Sequence, residues 1–132
     1  MFGRFKGCLA AVHRAAKTAG RGSLELSGSR KELAAWQRGS APVLAVQIQA
    51  GGTGIDLTRA CYCVYMSVGF SLGDYEQSLA RVHRPGQDRT VWYYHIVGRD
   101  TVDEMVYHAL RARKNLVEGV LDGIRNPNPP TP

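Results

Sequence analysis

The stretch VLAVQIQAGGTG, residues 43–54, decides the fold of this chain. Residues 43–48 are β-branched and largely apolar, which is typical of a strand buried in a parallel sheet. The loop that follows, Gly51-Gly52-Thr53-Gly54, is rich in glycine, and glycines let backbone N–H groups approach an anion closely. Ligands of open parallel sheets bind at the carboxyl ends of the strands, where this loop would lie. The stretch therefore predicts a parallel sheet with a candidate anion site at its edge.

Helical and strand patterns alternate on both sides of this stretch. The spacing of apolar residues predicts helices over 6–19, over 74–84 and from Asp100 onwards. A capping-box pattern at residues 29–32 predicts a short helix that ends at Arg38. Strand patterns cover residues 23–26, 62–66 and 91–97. This alternation favours an α/β fold with helices layered on a parallel sheet.

The chain has 132 residues and a mass of 14.5 kDa, which is the size of one domain. We assign that domain to residues 1–125 and predict that the proline-rich residues 126–132 form a disordered tail. No apolar run approaches the roughly 18 residues of a membrane span, and no secretory signal pattern opens the chain. Three cysteines are too few for a disulfide scaffold. These features predict a reducing cytosol.

Positive charge is concentrated in the first third of the chain. Residues 1–38 hold eight Lys or Arg and two acids, which accounts for the whole net charge of +6. The remaining residues hold nine of each sign. A basic surface in residues 1–38 would attract a polyanion such as nucleic acid. A solvated helix face is the alternative explanation.

The helix predicted over 74–84 separates polar and apolar residues. Gln77, Arg81 and Arg84 are spaced i, i+4 and i+7, which places them in one stripe on one face. The opposite face carries Tyr75, Leu79 and Val82. Two arginines held on one exposed face suit a phosphate, because guanidinium groups match its geometry. An exposed basic face that only confers solubility explains the spacing equally well.

Asp56 follows the glycine loop by two residues. Its carboxylate could accept a ribose hydroxyl, or it could cap the turn around residues 57–60. The sequence favours neither role over the other. The loop is not a Walker A motif, because the chain contains no Gly-Lys pair.

Two segments of the chain, together with their order and spacing, resemble those of one known family. Residues 77–87, QSLARVHRPGQ, are similar to motif VI of the Swi/Snf-related superfamily II helicase-like ATPases. Residues 51–57, GGTGIDL, are similar to their motif V. The resemblance extends over roughly residues 2–124 and is strongest to the compact phage and bacterial members, which implies the cytosol of a bacterium or of a phage-infected cell. It implies the second RecA-like lobe, a three-layer parallel-sheet domain, whose first strand is here missing or reduced to residues 1–2.

The resemblance also implies a nucleotide site. Arg81 and Arg84 match the motif VI arginines, the arginine fingers that reach the γ-phosphate of ATP. Gln77, Gly54 and Asp56 match residues near the nucleotide and the lobe interface. The Mg²⁺ that accompanies ATP would be held by the first lobe, because this chain contains no Walker A motif and no Asp-Glu-x-His box.

A nucleic-acid contact is implied as well, because Gly51, Gly52 and Thr53 match a loop that lies against the nucleic-acid backbone. Many family members carry Lys where Gln49 stands, so this loop has one cation fewer. The expected function is the second lobe of a DNA-dependent ATPase or translocase that is inactive alone. Its expected partners are DNA and an N-terminal RecA-like lobe, supplied in trans or in a longer chain. The alternatives are a stand-alone basic nucleic-acid-binding module and a non-functional fragment of a split gene.

Overall fold

The structure, a computed structural model, describes residues 1–49, 55–67 and 71–125. The strands are β1 (Phe2–Gly3), β2 (Ser23–Leu26), β3 (Val43–Gln47), β4 (Tyr62–Tyr65) and β5 (Trp92–His95). The helices are α1 (Lys6–Thr18), α2 (Leu33–Gln37), α3 (Leu72–Val82) and α4 (Val102–Arg125). The glycine loop at 51–54 and the predicted tail at 126–132 lie outside the described residues.

The five strands form one sheet in the order β2-β3-β1-β4-β5. Each neighbouring pair is parallel, with Leu24 opposite Leu44 and Cys63 opposite Tyr93. The central strand β1 has only two residues, whereas its neighbours β3 and β4 have five and four. The predicted α/β parallel sheet is therefore confirmed, and its first strand is present in shortened form.

The pleat of β3 divides the core between the two faces of the sheet. Leu44 and Val46 belong to a cluster with Trp36 of α2 and Val82 of α3. Ala45 belongs to a second cluster with Leu9 and Val12 of α1. Because successive side chains of a strand point to opposite faces, α1 covers one face, while α2 and α3 cover the other. The result is the three-layer arrangement that the sequence predicts.

Several element bounds differ from the prediction: β5 is observed at Trp92–His95 rather than over 91–97, and α2 and α3 begin at other residues than predicted. The capping box at residues 29–32 is absent, since α2 begins only at Leu33 and has no side-chain cap. The carboxylate of Glu32 instead accepts hydrogen bonds from the Glu25 backbone N–H at 2.8 Å and from the Arg30 guanidinium at 2.7 Å. Helix α3 begins two residues earlier than predicted, because the Ser71 hydroxyl accepts a hydrogen bond from the Asp74 N–H.

Helix α4 is anchored by its first turns. Val106 and Leu110 are buried, and the helix packs against α3. The second half carries exposed apolar residues, namely Leu116, Val117, Val120 and Leu121. In the part of the chain that the structure describes, no helix combines the length and the apolar character needed to cross a bilayer.

Candidate functional site

The segment 55–60, which follows the glycine loop, lies against the carboxyl-terminal end of α3. The Leu57 N–H donates to the Arg81 carbonyl at 3.0 Å. The Arg84 Nη1 donates to the Ile55 carbonyl at 3.3 Å. Leu57 itself is buried in the core cluster that contains Val82. Segment 55–60 and the end of α3, far apart in the sequence, therefore pack together.

Arg81 does not lie on an exposed face, which contradicts the prediction from helical spacing. Only 9% of Arg81 is exposed, and it neighbours the fully buried Val82. Arg81 lies in the last turn of α3, which packs against segment 55–60: the Leu57 N–H donates to the Arg81 carbonyl, and the Leu57 side chain shares a core cluster with Val82. An isolated helix pattern cannot reveal this burial, because it depends on packing against residues elsewhere in the chain.

Gln77 and Arg84 are exposed, as the stripe predicts. Gln77 lies in the middle of α3, and Arg84 lies two residues beyond its end at Val82. The guanidinium of Arg84 is therefore held by the Ile55 carbonyl while it stays open to solvent. This arrangement leaves a cation at the surface where segment 55–60 meets the residues that follow α3.

Asp56 caps a turn in this structure. Its Oδ1 accepts hydrogen bonds from the Thr58 N–H at 2.9 Å and from the Thr58 hydroxyl at 2.6 Å. The Thr58 hydroxyl is the main cause that lowers the pKa of the Asp56 carboxyl, and the charge of Arg84 lowers it further. Asp56 is exposed and stays ionised at neutral pH. The capping role is thus observed, and a ribose contact stays a prediction.

Gln87 ties the same segment to the end of α3. Its Nε2 donates to the carbonyls of Ala60 at 2.9 Å, Thr58 at 3.0 Å and Val82 at 3.3 Å. Its Oε1 accepts from the Arg89 N–H at 3.2 Å. In the sequence, Gln87 belongs to the segment similar to motif VI, but nothing there indicates its role. Its position just after Pro85-Gly86, where the chain turns back, was the available signal.

Helix α2 holds the segment from the other side. The Arg59 Nη1 donates to the Trp36 carbonyl at 2.7 Å and to the Ala41 carbonyl at 2.9 Å. The same guanidinium lies 4.9 Å from the centre of the Trp36 ring. The Gln37 Nε2 donates to the Asp56 carbonyl at 2.9 Å. Segment 55–60 is therefore fixed between α2 and α3 by side chains that the sequence analysis did not single out.

Four predicted site residues cannot be placed. Gly51, Gly52, Thr53 and Gly54 lie outside the described residues. The site that the structure does describe contains Gln77, Arg81, Arg84 and Asp56. Of these, Arg81, Arg84 and Asp56 are brought together around segment 55–60.

Comparisons with known proteins agree with this geometry. Residues 13–86 match the family model of the helicase conserved C-terminal domain. A chromodomain-helicase-DNA-binding protein 1-like of Mus musculus is 33% identical over 98 residues, which cover 73% of this chain and 11% of that protein. The DNA repair protein rad8 of Schizosaccharomyces pombe is 35% identical over 79 residues, which cover 60% of this chain and 7% of that protein. The chain thus spans about a tenth or less of these relatives.

A solved structure supports the fold independently. The C-terminal part of the Fun30 ATPase domain superposes with a TM-score of 0.73 at 23% identity, over 83% of this chain and 38% of that chain. The parallel sheet, the matched family model and the similar relatives lead to one assignment. The chain belongs to the helicase conserved C-terminal domain family, as a second RecA-like lobe of the Swi/Snf type.

Proposed function

We propose that this chain is the second lobe of a DNA-dependent ATPase and supplies motifs V and VI to an ATP site that a first lobe completes. The observation that carries the proposal is the contact between Arg84 and the Ile55 carbonyl, which holds an exposed guanidinium where the two motif segments meet. An arginine of this kind stabilises the charge that develops on the transferred phosphoryl group. Such arginine fingers contribute about 10³–10⁵ in rate.

The two arginines have different surroundings in this proposal. Arg84 is exposed and would reach the γ-phosphate across the lobe interface. Arg81 is mostly buried, so its guanidinium would contact phosphate only from the base of the site. Gln77 and Asp56, both exposed, would lie beside the nucleotide with Gly54. Mg²⁺ bound with ATP would neutralise phosphate charge and would be held by carboxylates of the first lobe.

The chain alone would hydrolyse no ATP in this proposal. Two arginines stabilise a transition state only when another group orients the nucleotide and the attacking water. DNA would cross both lobes, with Gly51, Gly52 and Thr53 against its backbone. Since DNA contacts of this kind are made to phosphates, binding would show little preference for sequence.

The test combines the 132-residue chain with a first-lobe polypeptide from a Swi/Snf-type relative that ends before motif IV. We expect DNA-stimulated ATP hydrolysis by the pair and none by this chain alone. Arg84→Ala should lower kcat by about 10³-fold or more, with a smaller effect on nucleotide affinity. Arg84→Lys should not restore turnover, because an ammonium lacks the planar fork of a guanidinium.

Arg99→Ala is the matched control, because Arg99 is exposed but lies in the loop between β5 and α4. It should leave turnover unchanged. Full turnover of the Arg84→Ala pair would refute the arginine-finger role. ATP hydrolysis by this chain alone, abolished by Arg84→Ala, would refute the division of the site between two lobes.

A second candidate function rests on the surface of α1. Leu9, Val12 and Ala16 are buried, and the opposite face exposes Lys6, Arg14 and Lys17. The helix contains no acidic residue. This face would bind the phosphates of nucleic acid without a first lobe, as a stand-alone binding module.

Its test is a salt titration of DNA binding by the isolated chain. Arg14→Ala and Lys17→Ala should each lower the slope of log K against log salt by roughly one ion. Arg99→Ala should leave it unchanged. An affinity that is independent of salt would exclude the α1 surface. No DNA binding, together with no activity beside any first lobe, would favour a non-functional fragment.

A further inference from the structure

Strand β2 carries a polar face beneath α1. Its residues Leu24 and Leu26 pack on the core cluster at the α2 side of the sheet. Because successive side chains of a strand alternate, Ser23, Glu25 and Ser27 point to the opposite side, which α1 covers. Burying polar side chains costs free energy unless each has a hydrogen-bond partner, and one of the partners here is a histidine.

His13 of α1 lies between two of these side chains. Its Nδ1 is 2.6 Å from the Ser23 Oγ, and its Nε2 is 2.8 Å from a carboxylate oxygen of Glu25. An ionised carboxylate can only accept, so the single hydrogen of the neutral imidazole lies on Nε2 and is donated to Glu25. The lone pair of Nδ1 then accepts the hydroxyl hydrogen of Ser23. The three side chains therefore have the connectivity of a nucleophile, a general base and an acid that orients the base.

Glu25 is held as a carboxylate by its other contacts. Its Oε1 accepts a hydrogen bond from the Ser27 hydroxyl at 2.7 Å, and its Oε2 accepts one from the Arg30 Nη1 at 3.3 Å. Burial raises the pKa of this carboxyl, but hydrogen bonds from Ser27 and His13 and the charge of Arg30 outweigh burial, so the pKa lies below its usual value. The side chain is only 11% exposed. The imidazole is therefore oriented by a fixed group that is ionised at neutral pH.

The serine end of this arrangement is open to solvent. Ser23 is half-buried at the start of β2, and residues 17–22 before it are exposed. Lys17 lies one helical turn after His13, and Arg21 lies two residues before Ser23, so two cations flank the hydroxyl. Residues 14–24 contain no acidic residue. A small anion is therefore the reactant that the local charge favours.

We propose that Ser23 is an activated nucleophile that takes the acyl group of a small acyl phosphate, with His13 as its general base and Glu25 as the residue that orients the base. The Ser23 Oγ bonds to the acyl carbon while its proton moves to the His13 Nδ1. The bond from that carbon to the phosphate oxygen breaks, and inorganic phosphate leaves with the electron pair. The proton on His13 then passes to solvent, and the products are an acyl ester of Ser23 and inorganic phosphate. The site uses neither a first lobe nor a nucleotide, so this proposal and the proposed function can fail separately.

The experiment incubates the 132-residue chain with acetyl phosphate at neutral pH and locates the acetyl groups by peptide mapping with mass spectrometry. We expect an acetyl ester at Ser23 that hydroxylamine removes, which distinguishes it from the amides of acetylated lysines. Ser40 is the internal control, because it is exposed and its hydroxyl has no imidazole partner among the described residues. It should be acetylated about 100-fold more slowly, since a positioned general base contributes about 10²–10⁴ in rate.

His13→Ala and His108→Ala form the matched pair of variants, because His108 is exposed on α4. His13→Ala should slow the acetylation of Ser23 about 100-fold, and imidazole added to the solution should restore about tenfold of this loss. A histidine that only supports the fold would give no such rescue. His108→Ala should react like the unsubstituted chain. Lys17→Ala should slow the reaction with acetyl phosphate about threefold, because one of the two nearby cations is lost.

The orienting role of Glu25 has its own readout. The ¹⁵N resonances of the His13 ring should show the hydrogen on Nε2 in the unsubstituted chain. Glu25→Gln removes the negative charge that favours this tautomer, so it should lower both the population of the tautomer and the rate of Ser23 acetylation. Thermal melts verify that each variant is folded. If His13→Ala unfolds, the comparison of Ser23 with Ser40 and the tautomer measurement still test the proposal on the unsubstituted chain.

Four results would overturn the proposal. The first is acetylation of Ser23 no faster than that of Ser40. The second is an unchanged rate in a folded His13→Ala chain. The third is a His13 ring with its hydrogen on Nδ1 in the unsubstituted chain. The fourth is an unchanged rate in Lys17→Ala, which would refute the anionic donor.

Discussion

Gln87→Glu is the sharpest test of how this site is held together. The substitution keeps the shape of the side chain and replaces its two N–H donors by a carboxylate. In the structure the Gln87 Nε2 donates hydrogen bonds to the carbonyl oxygens of Ala60, Thr58 and Val82, at distances of 2.9 to 3.3 Å. The variant therefore removes the hydrogen bonds between segment 55–60 and α3 without opening a cavity.

The magnitude follows from the number of donors. An amide nitrogen has two hydrogens, so three carbonyls share two hydrogen bonds, each with a net value of about 0.5–1.5 kcal/mol. The introduced carboxylate also faces carbonyl oxygens that repel it. We expect the free energy of unfolding at pH 7 to fall by about 2–3 kcal/mol. For a chain of this length that corresponds to a loss of very roughly 6–15 °C in Tm.

The loss of stability in Gln87→Glu should depend on pH in a definite direction. Facing carbonyls, the introduced Glu would have its pKa raised in the folded state above the value of about 4.3 in the unfolded chain. The loss in unfolding free energy should be largest above the folded-state pKa. It should become smaller as the pH falls through that pKa, because protonation of the carboxylate restores one O–H donor. The quantity to measure is the difference in unfolding free energy between Gln87→Glu and the unsubstituted chain at each pH.

Gln77→Glu is the control, because it makes the same change of charge at an exposed position of α3. Denaturant unfolding at pH 7 and at pH 4 compares both variants with the unsubstituted chain. If Gln87→Glu and Gln77→Glu were equally stable at pH 7, the hydrogen bonds of Gln87 would not hold the segment. A deficit that stayed constant down to pH 4 would show that the loss has another cause.

Three further predictions concern the core and the arginines. Ser78→Ala should lower the free energy of unfolding by about 1 kcal/mol more than Tyr65→Phe does, because it leaves the buried Tyr65 hydroxyl without its 2.7 Å partner. Calorimetry of both variants measures the difference, and equal Tm values would contradict the prediction. Burial lowers the pKa of His95. The free energy of unfolding should therefore fall as the pH drops below about 6.5, where the unfolded chain takes up the proton first. His95→Gln should flatten this pH profile, and an unchanged slope would show that His95 is not its cause. Arg81→Ala should lower the free energy of unfolding by about 1–3 kcal/mol, whereas Arg84→Ala, at an exposed residue, should change it by no more than about 0.5 kcal/mol. Similar Tm values for the two variants would mean that Arg81 contributes nothing to the stability of the fold.

The sequence predicts most of the elements because their signals are local. Helix α1 was predicted over 6–19 and is observed at Lys6–Thr18, and β2 has the predicted bounds, Ser23–Leu26. Both depend on residue spacing within a few turns or pleats. The early start of α3 also depends on a local signal, because its N-cap, Ser71, is visible in the sequence. The capping box of α2 failed because Glu32 has competing partners, Glu25 and Arg30.

The site was less predictable, because its geometry depends on contacts between distant segments. Spacing alone gives Arg81 and Arg84 the same face, but in the folded chain Arg81 is buried in the last turn of α3, which packs against segment 55–60, while Arg84 is exposed. Gln87 and Arg59 act on backbone carbonyls, and a carbonyl carries no signal in the sequence. Their partners could be identified only once the fold had placed segment 55–60 between α2 and α3.

In the proposed function, the same contacts would couple a nucleotide site to a DNA site. Segment 55–60 follows directly from the loop that matches the DNA-facing part of motif V, and it carries Asp56 beside Arg84. It is held by Gln87 from the α3 side and by Arg59 from the α2 side. A displacement of the loop by DNA would therefore be transmitted to the Ile55 carbonyl, and through it to the Arg84 guanidinium. In the proposed function, where a displacement of about 1 Å at such a group can change a rate 100-fold, this short connection would make hydrolysis depend on DNA.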